Sequence, residues 1–314
     1  MRDLSPHGVL LVDKPQGPTS HDVVSALRGI LGGVRVGHAG TLDPMATGLL
    51  VMLVGRATRL APYVPGDPKV YSARVLLGME TETMDLEGKT VSERGFTGSA
   101  EEVAEAMSAL VGDLEQTPPI YSAVKHRGKP AYRYARRGEA VNLESRRVRV
   151  YRMEMTEFRR VGDKAEADFV VECSPGTYVR ELAARIGAML SCGGTLSRLR
   201  REASGPFRVE EALTLEEVRR RSEAGEALIM PMHRALEGMG MVEVTPSGVE
   251  PVLNGSAVDE DILLRRDEGL GGGDLVAVMG GGALLAVHEV SRPRPFLSLP
   301  RRVVGERRRG DGAG

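Results

Sequence analysis

Between Gly37 and Gly48 the chain reads Gly-His-Ala-Gly-Thr-Leu-Asp-Pro-Met-Ala-Thr-Gly. Glycines at 37, 40 and 48 and Pro44 punctuate a twelve-residue loop in which Asp43 is the one acid and His38 the one imidazole. Long structured loops between buried elements are more often functional than decorative, and a single carboxylate can serve as nucleophile or base. By residue type alone Asp43 is more often an Asp-Pro turn former, and His38 a hydrogen-bonded structural residue. Other chemistries need more than is here. An aspartic protease requires Asp-Thr-Gly, usually twice, but Asp43 is followed by Pro44 and no second copy exists. A glycoside hydrolase needs a partner carboxylate, and none announces itself. No His, Cys or Asp spacing resembles a metal ligand set, and P-loop and dinucleotide fingerprints are absent. Gly271 to Gly273 precede no Lys-Ser/Thr helix and read as a flexible turn. What remains is a reaction without metal or cofactor that uses one carboxylate.

The flanking sequence shows what must hold that loop. Gly8 to Val12 is an apolar run stopped by Asp13-Lys14-Pro15-Gln16-Gly17-Pro18, a buried strand ending in turn residues. Thr19 or Ser20 caps a helix with Val23, Val24, Leu27, Ile30 and Leu31 at helical spacing, and Gly32-Gly33 ends it. After the loop, Leu49 to Val54 is a second buried strand. Further on come a strand at 71–77, a helix behind the capping box Ser99/Glu102, a hairpin of 148–158 with 165–173, a helix at 178–190 and a capping box at Thr214/Glu217. Strands and helices do not alternate regularly, which predicts α+β. From about residue 235 short strands at 241–244, 275–279 and 283–290, with a turn at Gly280-Gly281-Gly282, predict a small β-rich second domain.

Length and charge fit that division. The 314 residues suit a catalytic domain with an appendage, and 41% apolar residues are enough for a core. Cys173 and Cys192 alone cannot build a disulfide framework and read as reduced thiols. No apolar run approaches the ~20 residues of a membrane span, and Met1 to Pro6 lacks a signal-peptide core, so a soluble, cytoplasmic protein is expected. The net charge of −1 hides segregation. Residues 121–152 hold ten Lys/Arg against Glu139 and Glu144, whereas residues 80–115 hold ten Asp/Glu against Lys89 and Arg94. A local excess of that size is the footprint of a phosphate-backbone contact or, on charge alone, equally of a solvated basic face.

The loop from Gly37 to Gly48 resembles the signature of TruB-type tRNA pseudouridine synthases. Gly8 to Lys14-Pro15 is similar to that family's N-terminal Lys-Pro motif, and Lys69-Val70-Tyr71 to its tyrosine strand. Pro119 to Lys125 with Tyr134-Ala135-Arg136 is similar to its tRNA-clasping insertion, and Cys173 to Arg180 to its active-site strand end. These segments follow the family's order over residues 8–210. The resemblance implies an isomerase that converts the uridine at position 55 in the T-loop of tRNA to pseudouridine, with a pseudouridine-synthase catalytic domain on a mixed, mainly antiparallel sheet. It implies that Asp43 is a catalytic nucleophile, attacking either the sugar C1′ or the base C6, with Arg180 its catalytic ion-pair partner and Tyr71 a third catalytic residue that stacks on the uracil and assists proton removal at C5. It places His38, Tyr178, Leu199, Lys125 and Arg136 at the substrate. Lys14 joins them as a brace of the active-site floor and not as a reacting residue. The basic insertion at about 118–139 grips the T-arm, and the acidic stretch before it faces away from RNA. Residues 1–235 would be the catalytic domain, 240–300 a PUA-like RNA-binding domain and 301–314 a basic, disordered tail. Partners follow: tRNA, no membrane, no guide RNA, and a monomer. Two alternatives stay open, a guide-RNA-dependent pseudouridine synthase and a non-catalytic tRNA-binding protein that uses the same clasp.

Overall fold

The structure, a computed structural model, describes residues 6–122, 124–126, 128–131, 134, 137, 139, 141–291 and 296–306. The two apolar runs form strands β1 (Gly8–Lys14) and β2 (Thr47–Val54), paired antiparallel from Gly8 opposite Val54 to Lys14 opposite Gly48. Side chains alternate across a strand, so an unbroken apolar run must feed two faces. Val9, Leu11, Leu49, Val51 and Leu53 enter one buried cluster, and Leu10, Val12, Leu50, Met52 and Val54 another. Helix α1 (Ser20–Ile30) closes the second cluster with Val23, Val24 and Leu27. Its cap is Thr19. The Thr19 hydroxyl accepts the Asp22 N–H, and the Asp22 carboxylate accepts the Thr19 N–H.

Strands β3 (Lys69–Leu77), β4 (Gly112–Gln116), β5 (Arg146–Val161), β6 (Lys164–Cys173) and β7 (Gly194–Ser204) complete a sheet of order β1-β2-β7-β3-β6-β5-β4. Short strands Val36–His38 and Phe207–Arg208 add to β2 and β7, giving nine strands among the described residues. Every pairing described in this sheet is antiparallel except that of β7 with β2, which spans only Arg200 opposite Thr47 and Arg201 opposite Gly48. The expected α+β, mainly antiparallel architecture is the observed one. Helices α2 (Ala100–Ser108) and α3 (Val179–Met189) lie on this sheet, where Val103, Met107, Leu182 and Ile186 pack with Val75, Phe169 and Val171. Helix α4 (Leu215–Glu223) follows the Thr214/Glu217 box and places Val218 in the α1 cluster.

The loop is shorter than its sequence implies. His38 already belongs to a strand, and Thr47 and Gly48 open β2, which leaves residues 39–46.

A second sheet holds β8 (Gly240–Val244), β9 (Leu263–Arg266), β10 (Leu275–Gly280), β11 (Ala283–Glu289) and β12 (Arg302–Val303) in the order β9-β8-β10-β11-β12. Gly281 and Gly282 take φ of 58° and 77° in the two-residue β10–β11 turn, the left-handed pair such a turn demands. Two expectations are corrected here. Helix α5 (Pro246–Leu253) lies where only strands and turns were anticipated. The basic tail does not begin at 301, because Arg302 and Val303 pair with Val287 and Ala286 and extend the sheet. Residues 307–314 lie outside the described residues.

Candidate active site

Three buried side chains fasten the loop of residues 39–46 from below. Lys14, at the end of β1, is fully buried, and its ammonium donates to the carbonyls of Pro15 (3.0 Å), Pro44 (3.1 Å) and Ala46 (2.6 Å). Ser20, in the first turn of α1, donates to the Leu42 carbonyl (3.0 Å) and accepts the Leu42 N–H (2.9 Å). Arg201, fully buried on β7, donates to the carbonyls of Leu49 (2.7 Å), Gly40 (3.2 Å) and Thr41 (3.3 Å). Gly48 lets this strand come close. At φ +98°, a Cβ there would stand 2.3 Å from the Arg201 carbonyl oxygen. Lys14 thus sits beneath the loop as a brace of the site's floor. All three of its donors serve carbonyls, and burial lowers its pKa to about 8.

Held this way, Asp43 meets Arg180. Arg180 Nε lies 3.0 Å from Asp43 Oδ2, and Arg180 Nη1 lies 3.1 Å from Asp85 Oδ2. The arginine is 4% exposed and its remaining donors reach the carbonyls of Thr83 (3.1 Å) and Tyr121 (3.0 Å). Its Nε has no acceptor at a hydrogen-bonding angle, so Asp43 is held by charge. Arg180 is placed by the start of α3, whose cap comes from β4. Gln116 accepts the Tyr178 N–H at 2.9 Å and donates to the Tyr178 carbonyl at 3.3 Å. Asp85 sits between the short strands Met79–Thr81 and Thr90–Glu93, where it accepts the Thr83 hydroxyl and the Glu87 N–H. Met84 before it takes φ +62°, a strained value for a side-chain-bearing residue and one common at functional sites. Burial raises the Asp43 pKa; the Arg180 charge pulls it down, Asp85 pushes it up and Lys14 pulls it down.

Asp43 opens into a cavity of about 310 Å³ lined by Thr41, Tyr71, Arg180, Leu199, Tyr178, Ser122, Lys69 and Arg146 among others. That is the lower end of the range for small-molecule pockets. Tyr71 is buried on β3 opposite Arg201, and burial raises its pKa, so the phenol stays protonated at neutral pH. Leu199, on β7 opposite Ala73, supplies an apolar wall. Tyr178 stands at the start of α3 with the Arg146 guanidinium 4.8 Å over its ring centroid.

The residues predicted from sequence thus converge in part. Asp43, Tyr71, Arg180, Tyr178 and Leu199 share the cavity, whereas His38 does not line it. His38 pairs with Met52 in its short strand, its Nδ1 is buried without a partner, and burial lowers its pKa, favouring the neutral ring. Lys125 is described as backbone, in a two-residue strand against Lys129–Pro130, and Arg136 lies outside the described residues. Asp85, from the acidic stretch, also reaches the site, where it pairs with Arg180. Sequence reasoning also missed Arg201, Lys69, Arg146 and Ser122 as site residues. Lys69 and Ser122 lie within the Lys69-Val70-Tyr71 and Pro119 to Lys125 segments, which offered a signal, whereas the polar strand around Arg201 offered none.

No helix among the described residues is long and apolar enough to cross a membrane. The profile of the TruB family pseudouridylate synthase N-terminal domain matches residues 28–179, and that of the tRNA pseudouridylate synthase B C-terminal domain matches residues 180–237. The tRNA pseudouridine synthase B of Thermotoga maritima is 39% identical over 297 residues, 94% of this chain and 94% of that protein. That of Thermobifida fusca is 49% identical over 234 residues, 73% of this chain and 78% of that protein. Among solved structures, an H/ACA RNP bound to a substrate RNA containing 2′-deoxyuridine superposes with a TM-score of 0.72 at 26% identity, covering 96% of this chain and 86% of that chain.

Proposed function

The chain belongs to the TruB family of pseudouridylate synthases, and from that premise we propose that it isomerises the uridine at position 55 of the tRNA T-loop to pseudouridine. One observation carries the reading: Asp43 stands at a cavity wall, ion-paired with a buried arginine that a second carboxylate holds in place. The reaction breaks the N1–C1′ bond, rotates the uracil and joins C5 to C1′; C5 gives up its proton and N1 takes one up, so the product is an isomer of the substrate. Nothing is oxidised or reduced, so no redox carrier is needed. Asp43 attacks C1′ or the base C6, and Arg180 keeps it ionised until it does. Tyr71 and Leu199 hold the uracil, with Tyr178 at the wall.

The base must first leave its stack, at a cost of a few kcal/mol. Contacts elsewhere offset it. The basic insertion at 118–139, with Lys125 and Arg136, grips the T-arm, and His38 fills the space the extruded nucleotide vacates. The second sheet serves as a PUA-like peripheral RNA contact. The enzyme works as a monomer in the cytoplasm, without a guide RNA. The likeness to an H/ACA particle favours a second reading, in which the chain acts on its RNA only inside a ribonucleoprotein.

Site-resolved pseudouridine detection on an unmodified tRNA transcript decides between them. Wild type alone should place pseudouridine at position 55, with chelator present. Asp43→Asn should lower turnover about 10⁴-fold or more, the scale of losing a catalytic nucleophile, while tRNA binding stays within a few-fold. Full turnover by Asp43→Asn would refute the role of Asp43. Tight tRNA binding without product in wild type would favour the particle-dependent reading.

A further inference from the structure

Two cations in the cavity have no part in the chemistry above. Lys69 opens β3 and Arg146 opens β5, and both line the cavity with Asp43, Tyr71 and Tyr178. Among the described residues no acceptor stands within hydrogen-bond reach of the Lys69 ammonium. Burial, Arg201 and Arg146 all disfavour its charge and lower its pKa to about 8. Arg201 is turned toward the loop carbonyls, as described above. Asp67, whose charge favours the ammonium, accepts the Tyr151 hydroxyl at 3.0 and 2.9 Å. Arg146 stacks on Tyr178, donates through Nη2 to the Gly176 carbonyl, and keeps a buried Nε with no partner.

Two like charges in one largely buried cavity, neither in an ion pair with a carboxylate among the described residues, are unfavourable without an anion between them. An anion between them removes the repulsion and supplies the missing acceptor. The uracil and ribose of an RNA substrate are neutral, and its anions are phosphodiesters. A nucleotide extruded into this cavity brings its two flanking phosphodiesters to the mouth. We propose that Lys69 and Arg146 form a phosphodiester subsite that seats the backbone beside the extruded uridine and so aligns its sugar with Asp43. The planar guanidinium suits two phosphate oxygens and the ammonium a third. The inference rests on the RNA-substrate reading above and adds to it the group by which the substrate's backbone is held.

A charge-neutralisation cycle tests it. T-arm stem-loop RNAs carry an uncharged methylphosphonate at either the 5′ or the 3′ linkage of the target uridine, and their affinities are measured for wild type, Lys69→Met and Lys69→Arg. Neutralising one of the two linkages should cost wild type about tenfold, as should Lys69→Met on natural RNA, the scale of one charge-assisted hydrogen bond. The two losses should not multiply, and Lys69→Arg should recover most of the affinity. Losses that multiply at both linkages would overturn the subsite, as would Lys69→Met binding natural RNA like wild type. Thermal melting checks that Lys69→Met is folded; if it is not, Arg146→Met takes its place in the same cycle. Wild type that binds but never converts natural RNA refutes the pseudouridine reading alone. Wild type that converts it with no coupling refutes the phosphodiester subsite alone.

Discussion

Asp43 has to be ionised to act as a nucleophile, yet its burial opposes ionisation. Activity should therefore fall as pH drops through a pKa above the usual carboxylate value of about 3.9, so the acid limb of kcat/KM lies higher than for an exposed aspartate. The neighbours set the direction in variants. Asp85→Asn removes a negative charge that raises Asp43, so its acid limb should move to lower pH. Its plateau should fall about tenfold or more, because Arg180 loses the partner that orients it. Arg180→Lys keeps a charge but cannot serve Asp43, Asp85 and the carbonyls of Thr83 and Tyr121 together. It should lower kcat by about 10²-fold while changing KM little. Single-turnover pH profiles check both, and an unmoved acid limb in Asp85→Asn would show that Asp85 acts only as packing. Asp43, Tyr71 and Arg180 were legible because each lies in a short recognisable motif. Asp85 was not, because its meaning comes from a partner 95 positions away that only the fold brings near.

At the scale of elements, the buried strands β1 and β2 and the capped helices α1, α2 and α4 could be read from apolar runs and capping boxes. Strand β7 could not. Ser197, Arg198, Arg200, Arg201 and Glu202 break its apolar pattern, yet Arg201 is buried because loop and β2 carbonyls surround it. Helix α5 contains Pro246, Gly248 and Pro251, which read as turn residues. Pro246 is tolerated in its first turn, and at Gly248 a Cβ would come within 3.1 Å of Val244 and Ile262. The element that matters most for the site is the loop's landing on β7. Gly48→Ala should strain a left-handed backbone and push β2 off Arg201, each effect costing about 1–3 kcal/mol. The same shift should loosen the carbonyls that Arg201 holds. A lower Tm accompanied by a fall in kcat larger than the rise in KM is the expected pair of results. A stable Gly48→Ala enzyme with full kcat would show that the loop is fixed by Lys14 and Ser20 alone.

Each sheet has a buried cluster of its own, and the two share a third. Ala277, Met279, Leu284, Val287 and Val304 of the second unit lie in one buried cluster with Val9, Leu11, Leu49 and Leu53 of the first, joined by Ala57 and Leu60 between them. Because β1 and β2 are apolar on both faces, one face is left for the second unit to cover, and without it those side chains would meet water. The composition change near residue 235 could not show the shared cluster, since an apolar strand does not specify what covers it. Arg56 and Glu306 also pair across the boundary at 2.9 Å, but a pair this exposed contributes little. The apolar cluster should carry the coupling, and this sets two outcomes apart. If the units were independent, calorimetry would resolve two transitions, and a lesion in the second would leave the first unchanged. A shared core predicts one cooperative transition. Val287 is fully buried in that cluster, so Val287→Asp should destabilise the whole chain by about 4 kcal/mol or more by burying an unpaired carboxylate. It should then lower the temperature at which pseudouridine formation is lost, although Val287 lies in the second sheet and Asp43 in the loop before β2 of the first. Glu306→Ala should shift Tm by less than about 0.5 kcal/mol in equivalent stability. If Val287→Asp instead gave a low-temperature transition of its own and left Asp43 chemistry intact at the wild-type temperature, the second sheet would be an appended module and not part of the catalytic core's support.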